Sequence, residues 1–162
     1  GKVLGGGMPI GAFGGRREIM SLISPLGKVY QAGTFSGNPM SLTAGLQTLQ
    51  ILERKGLKTL NAEGERLRLD LARTAAKAGQ QVTVQGEGSM FQVFFGRGPL
   101  ENARQVLSCD RERYMHLYRS MLEKGIYLPP SQFETCFLCT AHTRDHLRLF
   151  RRAFAESLEA LP

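Results

Sequence analysis

The stretch Gly1-Lys2-Val3-Leu4-Gly5-Gly6-Gly7-Met8-Pro9-Ile10-Gly11-Ala12-Phe13-Gly14-Gly15 sets a single lysine among glycines and small or apolar residues. Backbone this permissive belongs where a chain turns sharply or comes close to a ligand. The apolar run that follows the lysine would desolvate an ammonium and free the amine to attack a carbonyl, which is the requirement of imine chemistry. On composition alone a blander reading prevails, that of a solvated lysine beside a flexible glycine linker. The stretch does not spell G-x-G-x-x-G, because Ile10 stands where the last glycine would follow Gly5 and Gly7. Nor does G-x-x-x-x-G-K-[ST] occur anywhere, so a P-loop is excluded.

Outward from this stretch, 162 residues with 42% hydrophobic and 22% charged content describe a globular chain with room for one core, or one core and part of another. The net charge of +7 raises the question of nucleic acid. The arginines are scattered, however, as Arg16-Arg17, Arg66, Arg68, Arg111, Arg113 and Arg151-Arg152, without interleaved aromatics, and no nucleic-acid partner is expected. Three cysteines, an odd number, argue against a secreted disulfide framework and for a reducing, cytoplasm-like compartment. No apolar run reaches membrane-spanning length, so no membrane partner is expected.

Taken in order, Ile10 to Phe13 reads as a short strand and Glu18 to Ile23 as a short helix. A turn-rich segment, 31–39, leads into a helix opened by Pro39 at its favoured first position and stopped by Gly56. Leu42, Leu46, Leu49 and Ile51-Leu52 give that helix an apolar face. A second helix is expected over 57–78, stopped by Gly79. Two strands, 81–84 and 90–95, flank a Gly86–Gly88 turn. Tyr114, Leu117, Tyr118, Met121 and Leu122 mark a helix over 110–124, which Gly125 ends. Short strands at 126–128 and 137–140 precede a last helix capped by Thr143, with Leu147, Phe150, Phe154 and Leu158 facing inward. The shift from glycine-rich loops to periodic elements places a boundary near residue 55, followed by an α+β sandwich of helices on a small sheet.

Two constellations carry possible chemistry. Gly33, Thr34 and Ser36 combine turn N–H groups with hydroxyls that can hold phosphate oxygens near the start of the Pro39 helix. Ser36-Gly37-Asn38-Pro39 is equally suited to be a turn and helix cap and nothing more. Cys136-x-x-Cys139 with His142 and Cys109 could form a zinc site, but a second spaced pair is missing and Cys136 lies in an apolar run, so no metal is expected. His142 and His146 are assigned no role.

The wording of these segments is more specific than their composition. Lys2 followed by Gly-Gly-Gly-x-Pro-x-Gly-Ala resembles the cofactor-lysine segment of the class-III pyridoxal-phosphate aminotransferases, and Tyr30-Gln31-Ala32-Gly33-Thr34-Phe35-Ser36-Gly37-Asn38-Pro39 resembles their phosphate-contacting segment. Three details look like the aminomutase branch of that family. They are Gly14-Gly15-Arg16-Arg17-Glu18-Ile19-Met20, Tyr30-Gln31 where a histidine is more usual, and Tyr127-Leu128-Pro129-Pro130-Ser131-Gln132-Phe133-Glu134 followed by Ala141-His142. Two departures stand beside them. The family more often has small residues near position 136, and Thr135 to Thr140 lacks the small-domain arginine of several aminotransferases that use an external amino donor.

The resemblance implies an α/β fold, a fragment of a fold-type-I transferase. Residues 1–55 would be the end of the large cofactor domain and 56–162 the small α+β C-terminal domain, with half or more of the enzyme outside this sequence. It implies pyridoxal 5'-phosphate, and its pyridoxamine form during the cycle, bound through an aldimine at Lys2, which would also be the catalytic acid–base. Gly33, Thr34 and Ser36 would serve the phosphate, with Thr34 reaching the neighbouring subunit's cofactor in a homodimer. Glu134 would lie on the substrate side. The expected reaction is intramolecular amino transfer on a small-molecule substrate, yielding 5-aminolevulinate for tetrapyrrole synthesis, in the cytoplasm or, with an upstream targeting peptide, a plastid. The alternatives are a class-III aminotransferase with an external donor, and a non-enzymatic basic or zinc-binding domain.

Overall fold

A computed structural model describes residues 1–161. They fall into two compact units, residues 1–56 and residues from 57 onward.

In the first unit a glycine-rich turn precedes the short helix α1 (Arg17–Met20) and a lone parallel bridge between Ile23 and Val29. Helix α2 (Pro39–Lys55) begins where the sequence sets its start signals. The Asn38 side chain accepts from the Met40 and Ser41 N–H groups at 3.0 and 3.1 Å, Pro39 supplies the first position, and Gly56 closes the helix at φ 81°. The expected strand at Ile10 to Phe13 is absent. No other segment offers it a ladder partner among the described residues, so its backbone runs as a loop. The apolar stripe of α2 exists as a pattern, but Leu42, Leu46, Leu49 and Ile51 are exposed.

The second unit carries the core. Its elements are α3 (Leu57–Lys77), β1 (Thr83–Gln85), β2 (Met90–Phe94), α4 (Ala103–Leu107), α5 (Arg111–Glu123), β3 (Cys136–Phe137) and α6 (Arg144–Glu159). The three strands form one antiparallel sheet in the order β1-β2-β3, with Val84 opposite Val93 and Phe91 opposite Cys136. Helix α3 packs on β1 and β2, and α6 packs on both α3 and α5. The heptad-like spacings explain the result. Leu67, Leu71 and Ala75 of α3, Tyr114, Leu117 and Met121 of α5, and Leu147, Phe154 and Leu158 of α6 converge on Phe91 and Val93 of β2. Phe150 meets Phe91 edge-on, with ring centroids 5.9 Å apart.

Two polar links tie the first helix of the unit, and the turn that follows it, to the last helix. Arg151 Nε lies 2.8 Å from Asp70 Oδ2, and Gln80 Nε2 donates to the Leu158 carbonyl at 3.3 Å. Helix α3 also approaches the β1–β2 turn at Gly64, where a Cβ would fall 2.2 Å from the Gly88 carbonyl oxygen. The expected strand at 126–128 is a loop, although Leu128 is buried in the core all the same, and the one expected at 137–140 shortens to Cys136–Phe137. Helix α4, capped by the Asn102 side chain, is a single short element that periodicity did not foretell.

Candidate active site

Lys2 sits at the head of a tight run of turns. Gly7 N–H donates to the Lys2 carbonyl at 2.9 Å, Gly6 N–H to Val3 at 3.2 Å, and Met8 N–H to Gly5 at 3.0 Å. Glycine is needed here. Gly6 has φ +59°, and a Cβ on Gly5 would lie 2.1 Å from the Met8 carbonyl oxygen. The turn rests on the middle of α2, also at small residues. A Cβ on Gly6 would lie 2.6 Å from Thr48 Oγ1, and one on Gly45 would lie 3.2 Å from the Leu4 carbonyl oxygen. The backbone that carries Lys2 is therefore pinned, while its side chain is exposed. The desolvation expected of the apolar run is not provided, because Val3 and Phe13 themselves point into solvent.

Gly33, Thr34 and Ser36 lie on the turn that leads into the same helix. Ser36 N–H donates to the Gly33 carbonyl at 2.9 Å, and Asn38 N–H to Phe35 at 3.1 Å. Asn38 takes the first free N–H groups of α2, so the helix start is already satisfied. What remains for an anion are the exposed Thr34 and Ser36 hydroxyls and the turn N–H groups of Gly33 and Thr34. The phosphate-segment turn and the lysine turn are thus both anchored on α2, one at its start and one about two turns along, roughly 11 Å by helical rise.

Glu134 belongs to the second unit. It ends a loop, Pro129 to Glu134, whose backbone is held from several sides. Tyr114 Oη donates to the Pro129 carbonyl at 2.8 Å, and Gln132 Nε2 to the Cys109 carbonyl at 3.3 Å. Gln92 Nε2 donates to the carbonyls of Ser131, at 3.4 Å, and of Glu134. The Glu134 side chain is exposed at the edge of a groove of about 480 Å³, lined also by Tyr127, Pro130, Cys136, His142 and Phe150.

Burial pushes the Cys136 thiol up to about 12. The Tyr114 phenol is likewise pushed up, by burial first and by the neighbouring Cys136 second. His142 Nδ1 accepts from the Cys139 N–H at 2.9 Å, and His146 Nδ1 from the Thr143 N–H at 3.2 Å in the capping box of α6. Among the described residues no group of three or more His, Cys, Asp or Glu is arranged to hold a metal ion. Gln92 escaped the sequence reading, in which Tyr114 appeared only as a helix-face residue and Gln132 only within the quoted motif, neither with a role at the site. The signal that could have pointed to Gln92 is a lone carboxamide inside the apolar strand Met90-Phe91-Gln92-Val93-Phe94.

Residues 1–148 match the family model described as "Aminotransferase class-III". A glutamate-1-semialdehyde 2,1-aminomutase from Methanococcoides burtonii is 49% identical over 160 residues, covering 98% of this chain and 38% of that protein. A novel β-phenylalanine aminotransferase from Variovorax paradoxus superposes with a TM-score of 0.85 at 30% identity, over 98% of this chain and 38% of that one. A transaminase with PLP bound gives 0.81 at 30% identity, over 98% of this chain and 36% of its own. The chain therefore spans 38% of the length of the first curated relative it matches. With the glycine-cradled lysine, the hydroxyl turn and the small α+β unit all present, the chain belongs to the class-III aminotransferase family.

Proposed function

We propose that the protein carrying this chain is a pyridoxal-phosphate-dependent glutamate-1-semialdehyde 2,1-aminomutase. The observation that carries the reading is the Lys2 turn, a single lysine on a backbone fixed by Gly5 and Gly6, which tolerate no side chain. The donor set fits the cofactor. Lys2 Nζ supplies the amine for covalent attachment, and the hydroxyls of Thr34 and Ser36, with Gly33 leaving room beside Ser36, supply neutral donors for a phosphate dianion. When bound, pyridoxal phosphate supplies the electron sink that makes bonds to an amine-bearing carbon labile.

The chain's own residues then bind, orient and shuttle. Thr34, with Ser36 on the same turn, would hold the phosphate of the neighbouring subunit's cofactor and fix the register of that ring, while Lys2 Nζ, once released, would carry protons to and from substrate carbons in its own subunit's site. Glu134 is the substrate-side carboxylate, suited to an amine-bearing substrate. The name and high identity of the Methanococcoides burtonii relative support glutamate-1-semialdehyde as substrate. The same reading makes the protein a cytoplasmic homodimer in which Thr34 serves the neighbouring subunit's site, with residues 1–55 as the end of the large domain and 56–162 as the small C-terminal domain. An active enzyme that remains monomeric in light scattering would remove the dimer from this reading.

The experiment is borohydride reduction of the natural polypeptide after incubation with pyridoxal phosphate, followed by peptide mapping, and, on a separate unreduced sample, an assay for 5-aminolevulinate without added amino donor. A pyridoxyl group confined to Lys2, lost in Lys2→Arg because guanidinium is no usable nucleophile, together with product formation, is the expected result. Labelling at Lys2 without product, unless an external amine is added, would identify an ordinary aminotransferase. Labels scattered over many lysines would overturn the cofactor assignment.

A further inference from the structure

A carboxamide in the middle of a buried strand has to be accounted for. Gln92 is 6% exposed, between Phe91 and Val93 of the core. A polar group so placed is costly unless its donors and acceptor are all used. They are used, and in fixed directions. Oε1 accepts from the Val93 N–H at 2.8 Å and from the Cys136 thiol at 3.7 Å, which leaves Nε2 as the end facing the Ser131 and Glu134 carbonyls. Ser131 and Glu134 are also tied to each other, Glu134 N–H donating to the Ser131 carbonyl at 3.2 Å, and Ser131 Oγ accepts from Phe133 N–H at 3.2 Å. A single carboxamide therefore grips both ends of the turn that presents Glu134. Tyr114 Oη holds the entry to the same loop through the Pro129 carbonyl.

We infer that Gln92, assisted by Tyr114, is a positioning residue for substrate, fixing the backbone of the 129–134 loop so that the Glu134 carboxylate stands at one place on the rim of its groove. The inference rests on the reading of Glu134 as the substrate-side carboxylate. An exposed side chain has many rotamers, and what can be fixed is the backbone from which it springs. The strand is hydrogen-bonded on both sides and the loop is not part of the ladder, so the clamp ties the loop to the sheet. Gln92 does not touch substrate in this account. It acts through Glu134, and its removal damages catalysis only as far as Glu134 matters.

The test is a double-mutant cycle in the natural full-length polypeptide loaded with pyridoxal phosphate, run alongside amide hydrogen exchange. Gln92→Met keeps length and volume but removes the donors and the acceptor. The expected result is at least tenfold faster exchange confined to the 129–135 peptide, with the α5 peptide unchanged, and at least a tenfold loss of kcat/KM for glutamate-1-semialdehyde. In the Glu134→Gln background the further loss on adding Gln92→Met should shrink to less than threefold. Unchanged exchange in the loop would overturn the clamp, whatever the substrate. Faster exchange with fully additive losses, or with Glu134→Gln alone as active as the wild type, would overturn the role in substrate positioning. A wild-type enzyme inert on glutamate-1-semialdehyde would sink the aminomutase reading and this substrate role with it, while the exchange arm would still decide on the clamp. Should Gln92→Met fail to fold, Tyr114→Phe, which deletes only the hydroxyl on Pro129, should give the same pattern in smaller measure, and no change in loop exchange there would overturn the proposal.

Discussion

Cys136 and Tyr114 hold their protons more tightly in the folded chain than in water, and both for the same reason. Each would have to put a negative charge into the packed interior between β2, β3 and α5. The sign of the consequence follows. Above pH 9.0, the ordinary value of the thiol, the unfolded chain gives up the Cys136 proton while the folded chain keeps it to about 12. The unfolded state is thus favoured, and stability present at neutral pH is lost as pH rises through that window. Tyr114 acts in the same direction. Urea unfolding at pH 7, 9 and 10.5 should show this decline, and Cys136→Ala, although less stable at pH 7, should show a shallower one; an unaltered slope would mean that other groups carry the effect. At this scale the site was only partly legible. Lys2 and the Gly33–Ser36 turn announce themselves because glycine punctuation is local in sequence. Gln92 does not, because its partners lie 39 and 42 residues away and no periodicity relates them.

Helix α3 offers a case in which propensity and packing oppose each other. Exchanging an interior glycine for alanine ordinarily stabilises a helix by about 1 kcal/mol. At Gly64 the added methyl carbon would meet the backbone oxygen of Gly88 at 2.2 Å, an atom that cannot swing aside. Gly64→Ala should therefore destabilise, by about 1–3 kcal/mol as overpacked cores do, and denaturant midpoints will read the sign directly. The same tension explains which elements the sequence disclosed. Helices α2, α3, α5 and α6 were visible because side-chain spacing and capping residues lie within one segment. Strands need a partner from elsewhere. Ile10 to Phe13 and Ile126 to Leu128 have the composition of strands and find no ladder among the described residues, whereas Cys136–Phe137 is a strand only because β2 lies beside it. Helix α4, at five residues, is too short to show a period at all.

Across the whole chain, apolar burial is divided very unevenly. All sixteen residues of the core cluster lie at or beyond Leu67, while among the described residues of 1–56 only Gly5, Ser41 and Gly45 are buried. The expectation is that residues 57–162, expressed alone, unfold in one cooperative transition, and that residues 1–56 show none in circular dichroism or calorimetry. A cooperative melt from the shorter piece would contradict it. The apolar stripe of α2 was legible in the sequence; that it stays uncovered in this chain was not, because a stripe specifies a need for a neighbour without naming it.

The ties between α3 and α6 bear on how the protein is made. Asp70 meets Arg151 across 81 positions, and Phe154 and Leu158 complete a core begun by Leu67 and Leu71. A ribosome delivers α3 before α6, so the sheet and α3 must wait, with their oily sides open, until α6 has emerged. Premature termination anywhere before Arg144 would leave that wait unended, and such truncated products should be found with chaperones and proteases rather than as a smaller folded domain.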